Sequence, residues 1–338
     1  MKVNKIVIAL SNISVFRSEL MGVGILGVLF NHFIGLAGIQ GPSVIIICVL
    51  WHMVYTQGFL FLSGFGTFYS FNREHDILKF YKKRLSRLII PFILMSSPFF
   101  IINAITYHHS LIHFVGNITS LTFWFRGNYC GMWYIAISIL MYALLPLFYN
   151  FIMGGGKIVR TIILVFIVVL INIIVCCLFN EYFSLIKIGT IQIPIFILGM
   201  LAGYYSLNKK EFLIDKWVVM LFLVLLIISA LLLTKNNNIL GGYLSLIEKC
   251  FWIPLLSTFF VLIVKRRIGN KVLFMLRYLG IYSLEIYVLH MLFYSVLTNP
   301  YWVFGLSNKI AISTSIILSL LLCEHVNKMM NKLTKLCK

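Results

Sequence analysis

Arg17-Ser-Glu-Leu-Met-Gly-Val-Gly-Ile-Leu-Gly-Val-Leu-Phe-Asn-His32 decides the fold. It opens an apolar run from Leu20 to Ile39, about the 20 residues a helix needs to cross the hydrocarbon of a membrane, yet it carries a cation at one end and an imidazole toward the other. At about 1.5 Å per residue, His32 stands roughly 22 Å beyond Arg17, in the outer half of a membrane. At about 100° per residue the two side chains are only about 60° apart around the helix, so one face can carry both. Gly22, Gly24 and Gly27 give that helix small surfaces for close packing or for a ligand.

The rest of the 338 residues has the same character: 61% are hydrophobic and 11% charged, where a soluble domain averages roughly 45–50% and about 25%. These proportions exclude a cytosolic enzyme, a disulfide-stapled secreted domain and a disordered tail. Ten apolar runs follow, at 18–38, 44–71, 88–107, 132–152, 160–179, 189–207, 217–234, 242–264, 279–298 and 309–327, predicting an all-α polytopic membrane protein of about ten transmembrane helices in a single domain, 1–338. Only the connection 108–131 is long and polar enough for a small structured loop. Gly154-Gly155-Gly156 marks a flexible turn.

The net charge of +19, from 28 Lys and Arg against 9 Asp and Glu, tests that count. With the N-terminus inside, only Arg126, Lys187, Lys235, Lys249 and Lys309 of the basic residues fall outside, which places both the N- and C-termini in the cytoplasm. Topology and anionic membrane lipid account for the basic excess, so nucleic acid is not an expected partner. The seven cysteines (Cys48, Cys130, Cys176, Cys177, Cys250, Cys323, Cys337) are odd in number, lack metal-type spacing and read as small core hydrophobes. No cleavable leader is read at the N-terminus.

A polar or ionisable group inside a span faces the bundle interior and marks a site by default. His32 admits two readings: a histidine hydrogen-bonded at the outer interface, or a general base that takes a proton from a hydroxyl in a protected pocket. Asn31, about 100° away, reads as a polar group in helix packing. His290, near the outer end of the ninth run, reads as an interface cap or as a second site residue. Ser63, Gly64 and Gly66 in Phe59-Leu-Phe-Leu-Ser-Gly-Phe-Gly66 suit tight helix packing. Phe80-Tyr-Lys-Lys-Arg-Leu-Ser-Arg-Leu-Ile-Ile-Pro91 stands at the cytoplasmic start of the third run. There Lys82, Lys83, Arg84 and Arg87 either serve topology and lipid head groups or form a phosphate clamp for a nucleotide-like ligand. Trp133 and Tyr134 are the aromatic pair common at membrane interfaces, and Pro194 predicts a kink in the sixth run.

In this order along the chain, the stretches resemble the acyltransferase 3 family of integral membrane acyltransferases, in its short form without an appended extracellular domain. The resemblance rests on RSELMG with His32 over 17–32, FLFLSGFG over 59–66, FYKKRLSRLIIPF over 80–92, WYI over 133–135, PIFILG over 194–199 and LGIYSLEIYVLH over 279–290. Any one of these is weak, but six in sequence order are specific. The resemblance implies transfer of an acyl group, acetyl first, from cytoplasmic acyl-CoA to a hydroxyl of an extracytoplasmic or cell-surface carbohydrate or lipid-linked glycan. It implies O-acetylation of a polysaccharide in a bacterial cell membrane, with acetyl-CoA as the donor substrate and no metal.

The residue roles follow from the same resemblance. It implies His32 as the catalytic residue, as a base or as the carrier of the acyl group. It assigns Arg17, Lys83, Arg84 and Arg87 to the CoA-binding mouth, and Trp133, Tyr134 and His290 to the acceptor. Three positions depart from the usual pattern: Met21 where many relatives have a second arginine, Gln57 where an aspartate often stands, and Gln192 where an arginine commonly precedes the I-P-x-F stretch. Gln192 removes a permanent charge. The alternative from another class is a transporter or flippase of a glycan or lipid-linked sugar, because ten helices with buried polar groups suit that equally well.

Overall fold

In the computed structural model, which describes residues 5–39, 55–108, 110–127, 132–215, 239–264, 267–299 and 305–336, the apolar runs are helices. A short α1 (Ser11–Val15) leads into α2 (Arg17–Leu36), followed by α3 (Thr56–Arg73) and α4 (Ile77–Thr106). The expected structured loop holds two short helices, α5 (Leu111–Ile118) and α6 (Thr122–Arg126). Then come α7 (Trp133–Met153), α8 (Lys157–Leu178), α9 (Asn180–Thr190) and α10 (Ile193–Leu207). The chain continues through α11 (Ile239–Val264), α12 (Arg267–Ile281), α13 (Ser283–Thr298) and α14 (Asn308–Leu336).

Among the described residues six helices are long and apolar enough to cross a membrane, α9 and α10 counting as one, or seven if α12 and α13, bent by 67°, form one span. The expected run 217–234 and the part of the second run before residue 55 lie outside the described residues, as do Cys48, Cys130, Cys337, Lys235, Lys265 and Arg266. The cysteines that are described, Cys176, Cys177, Cys250 and Cys323, are unpaired.

The all-helical expectation needs one amendment. β1 (Lys5–Ala9) and β2 (Glu211–Asp215) pair antiparallel, Lys5 opposite Asp215 and Ala9 opposite Glu211. Each is too short to span, and the β-branched Ile and Val of β1 favour extended backbone once a partner strand is at hand. The pairing puts the start of the chain and the segment after α10 on the same side of the bundle.

Two helix boundaries also differ from expectation. α4 begins at Ile77, well before the apolar run at 88, because Asp76 caps it, its carboxylate accepting the Lys79 backbone N–H at 3.1 Å. The basic cluster therefore rides inside a helix, which fixes the spacing of its side chains. Pro194 stands at the start of a helix and not inside one. The span is broken between α9 and α10, and Pro194 occupies the first turn of α10, where the N–H it lacks has no intrahelical use. At the triple-glycine turn Arg160 folds back and donates to the Phe151 carbonyl at 3.0 Å.

Two glycine-mediated crossings hold the bundle together. A Cβ on Gly64 would strike the Phe196 carbonyl and one on Gly199 the Phe61 carbonyl, so α3 and α10 touch backbone to backbone. Gly22 against Leu276, and Gly280 against Ser18, do the same for α2 and α12. In lipid, where apolar burial between helices gains little, such close approach supplies the van der Waals contact that associates them. Phe65, Phe68, Phe92, Phe196 and Ile137 fill the centre. Among the described spans α8 is the least buried; Ile162, Phe166 and Ile171 are exposed on a helix apolar nearly all round, a surface suited to lipid.

Candidate functional site

Among the described residues two cavities lie along α2. The first, about 160 Å³, is bordered by Arg17 at the start of α2, by Arg84 and Arg87 one turn apart on α4, and by Ser63, Tyr134 and Tyr142. The early start of α4 makes this possible, since residues three apart on a helix share a face. Arg84 Nη2 donates to the Gly66 carbonyl at 3.0 Å, and Tyr142 Oη lies 2.8 Å from Ser63 Oγ. A Cβ on Gly66 would crowd the Arg17 guanidinium, so Gly66, expected only to aid helix packing, makes room for a site residue.

The three arginines have no carboxylate partner among the described residues. The buried acid on α2, Glu19, is taken by Arg277 of α12, whose Nη2 lies 2.6 Å and Nε 2.8 Å from Oε1. The Nε atoms of Arg17 and Arg84 are buried without a hydrogen-bond partner. A guanidinium does not shed its charge, so a cavity with three of them and no acid is built to receive an anion.

The second cavity, about 210 Å³, is lined by Asn31 and His32 on α2, by Thr56 and Gln57 on α3, and by Trp133 and Gln192 among others, with no Lys, Arg, Asp or Glu among the described residues of its wall. Gln192 Nε2 donates to the Ile188 carbonyl at 3.1 Å, which leaves its Oε1 free. Gln57 Oε1 is likewise buried without a partner. Two free amide oxygens call for a ligand that brings hydrogen-bond donors, as a hydroxyl does. His32 Nδ1 lies 2.8 Å from His290 Nε2, the rings edge to edge with centroids 5.1 Å apart.

Tyr287 of α13 borders both cavities, with its ring centroid 5.5 Å from that of Tyr134 and 6.1 Å from that of His290. The helices arrive in two sets. α2 and α13 begin at the arginine cavity, with Arg17 and Ser283, and α4 passes it in its first half, with Arg84, whereas α3, α7 and α10 begin at the histidine cavity, with Thr56, Trp133 and Gln192.

The expected site residues divide accordingly. Arg17, Arg84 and Arg87 come together. Lys82 and Lys83 are exposed and outside the cavity wall. Trp133 and Tyr134, adjacent on α7, face different cavities, as about 100° per residue allows. His290 is no interface cap, being fully buried at 0% exposure and bonded to His32. Asn31 lines the cavity rather than packing between helices. Gln57 and Gln192, noted only as departures from a pattern, share one wall. Tyr142 and Tyr287 were missed, and Tyr287 carried its signal within the quoted stretch 279–290.

The model of the Acyl_transf_3 family, described as an acyltransferase domain, matches residues 20–323, which include His32, Arg84, Arg87 and His290 and begin just after Arg17. No curated protein and no solved structure matches the chain.

Proposed function

The chain belongs to the acyltransferase 3 family, and on that premise we propose that it transfers an acyl group, acetyl first, from cytoplasmic acyl-CoA to a hydroxyl of an extracytoplasmic carbohydrate in a bacterial cell membrane. One observation carries this reading: two unlike cavities lie along a single helix, a cationic one at Arg17 and a neutral, amide-lined one at His32. The diphosphate of a CoA thioester suits the first, where Arg17, Arg84 and Arg87 bind it. An uncharged polyol suits the second, with Gln57 and Gln192 accepting its hydroxyl protons and Trp133 offering an aromatic wall.

The reaction joins them at Tyr287. His32 Nε2 takes the proton of the acceptor hydroxyl while the hydroxyl oxygen attacks the thioester carbonyl carbon. A C–O bond forms, the C–S bond breaks, and the leaving sulfur receives the proton from the imidazolium, so the products are an ester and a free thiol.

Ten crossings with both termini cytoplasmic belong to the same proposal. The direction of the helices supports them: the first, third and ninth expected spans (α2, α4 and α13) start at the arginine side, and the second, fourth and sixth (α3, α7 and α10) start at the histidine side, as alternation demands. The distribution of Lys and Arg then turns the arginine side to the cytoplasm.

Purified protein in proteoliposomes, supplied with radiolabelled acetyl-CoA and a surface glycan, is expected to yield labelled glycan, and mass spectrometry to find the added acyl group on it. Glycan movement across the bilayer with no labelled product would replace this reading with a transporter.

A further inference from the structure

The two histidines define more than a contact. His290 Nδ1 lies 2.8 Å from the Ile286 carbonyl oxygen one turn back on α13. A carbonyl only accepts, so the hydrogen of a neutral His290 ring sits on Nδ1, and Nε2 holds a lone pair. That Nε2 is the atom facing His32 Nδ1 at 2.8 Å, and one hydrogen must lie between them. It belongs to His32. The Ile286 carbonyl thus sets the tautomer of His290, and His290 sets that of His32, leaving His32 Nε2 as the lone-pair nitrogen, to which no described residue hydrogen-bonds.

We infer that His290 is a positioning residue, which holds the His32 ring in its Nδ1–H tautomer and turns Nε2 toward the neutral cavity. This inference rests on the acyl-transfer reading for its catalytic meaning, but its structural content does not. A lone imidazole in a low-dielectric pocket exchanges tautomers and ring flips, and only one of those states presents a base. The orienting partner has a second effect. When His32 Nε2 takes up the acceptor's proton, Nδ1 keeps its own hydrogen, and the His290 lone pair accepts from the resulting imidazolium. In triads a buried carboxylate does this. Here a neutral ring does it, in a span where a permanent charge would have to be desolvated. His290 is completely buried, and the two rings meet edge to edge with 28° between their planes, the geometry of an in-plane N–H···N hydrogen bond. Tyr287, in edge contact with His290, forms the wall between the cavities, so α13 supplies the orienting group and the partition together.

Two measurements test the inference. In the reconstituted transferase, His290→Leu is expected to lower kcat by roughly 10²–10⁴-fold, the range for misorienting or losing a base, with KM for acetyl-CoA unchanged within about twofold because the arginine cavity is untouched. His290→Gln, whose amide oxygen accepts from His32 Nδ1–H, is expected to recover at least about tenfold of that loss. Equal loss in both variants, or a loss confined to KM, overturns the inference. The second measurement needs no activity and no variant that must fold well: in wild-type protein with ¹⁵N-histidine, solid-state NMR is expected to show one histidine pair joined Nδ1–H to Nε2, with the far Nε2 unprotonated. Protonation at that far Nε2 overturns the inference directly. A protein without transferase activity that shows the expected tautomers would sink the functional proposal and leave the assignment of His290 standing.

Discussion

The arginine cavity and the histidine cavity share α2, α3, α7 and Tyr287 of α13, yet they handle polarity in opposite ways. Among the described residues, one concentrates three permanent charges and leaves them without acids, and the other has no charged side chain and relies on amides, a threonine and imidazole. A charge buried in a bundle without a partner is unfavourable, and natural chains keep it where a ligand completes it. Neutral amides discriminate by hydrogen-bond geometry instead. On the acyl-transfer proposal the contrast fits two substrates that differ in charge, and it predicts that each half of the site can be broken without the other.

The largest effect is expected from His32→Ala. Loss of a general base lowers kcat by roughly 10²–10⁴-fold, and binding of labelled acetyl-CoA, measured by equilibrium dialysis on the same protein, should stay unchanged. A variant that keeps turning over in proteoliposomes would remove the histidine cavity from the chemistry. Arg84→Ala should do the reverse. A hydrogen bond between charged groups contributes about 1.5–3 kcal/mol, so KM for acetyl-CoA is expected to rise roughly 10–100-fold with kcat preserved. The effect should shrink as salt rises. An unchanged KM would mean that the arginines orient the helices and hold nothing.

Smaller effects separate the walls more finely. Gln192→Leu deletes a free acceptor of the neutral cavity; at about 1 kcal/mol for a neutral hydrogen bond, KM for the glycan should rise roughly fivefold while KM for acetyl-CoA holds. Gly66→Ala presses a methyl against the mobile end of Arg17. That end can yield, so the effect should stay below the about 1–3 kcal/mol of overpacking in a rigid core, and appear in donor KM alone. Lys83→Ala, at an exposed position beside Arg84, should leave both KM values within about twofold in the same steady-state assay. If Lys83→Ala matched Arg84→Ala, the cationic region would extend beyond the cavity wall.

The run Lys82-Lys83-Arg84 shows where sequence reading stops. All three are basic and adjacent, and nothing in their order says which of them points inward. The answer depends on where α4 begins, which the Asp76 cap decides, and on the room that Gly66 leaves on α3. Asn31 and His32 show the same limit from the other side. Helical periodicity separates their side chains by about 100°, which suggested unrelated surroundings, but a cavity of about 210 Å³ is wide enough to meet both. Pro194 was legible as a helix disturbance and not as the opening of a new helix, because that depended on α9 ending at Thr190.

What the sequence determined by itself is what short-range chemistry can determine. Length and apolarity of the runs made the protein a helical membrane protein, six ordered motifs placed it in its family, and the 3.6-residue repeat put Arg17 and His32 on one helix, a membrane half apart. The tertiary structure alone decided that Gln57 and Gln192 share a wall and that His290, 258 residues from His32, supplies the partner for its Nδ1. Composition and periodicity act over a few turns of helix. Which helices touch depends on glycines such as Gly22 and Gly64 meeting a particular backbone across the bundle, and that complementarity exists only once the whole chain is packed.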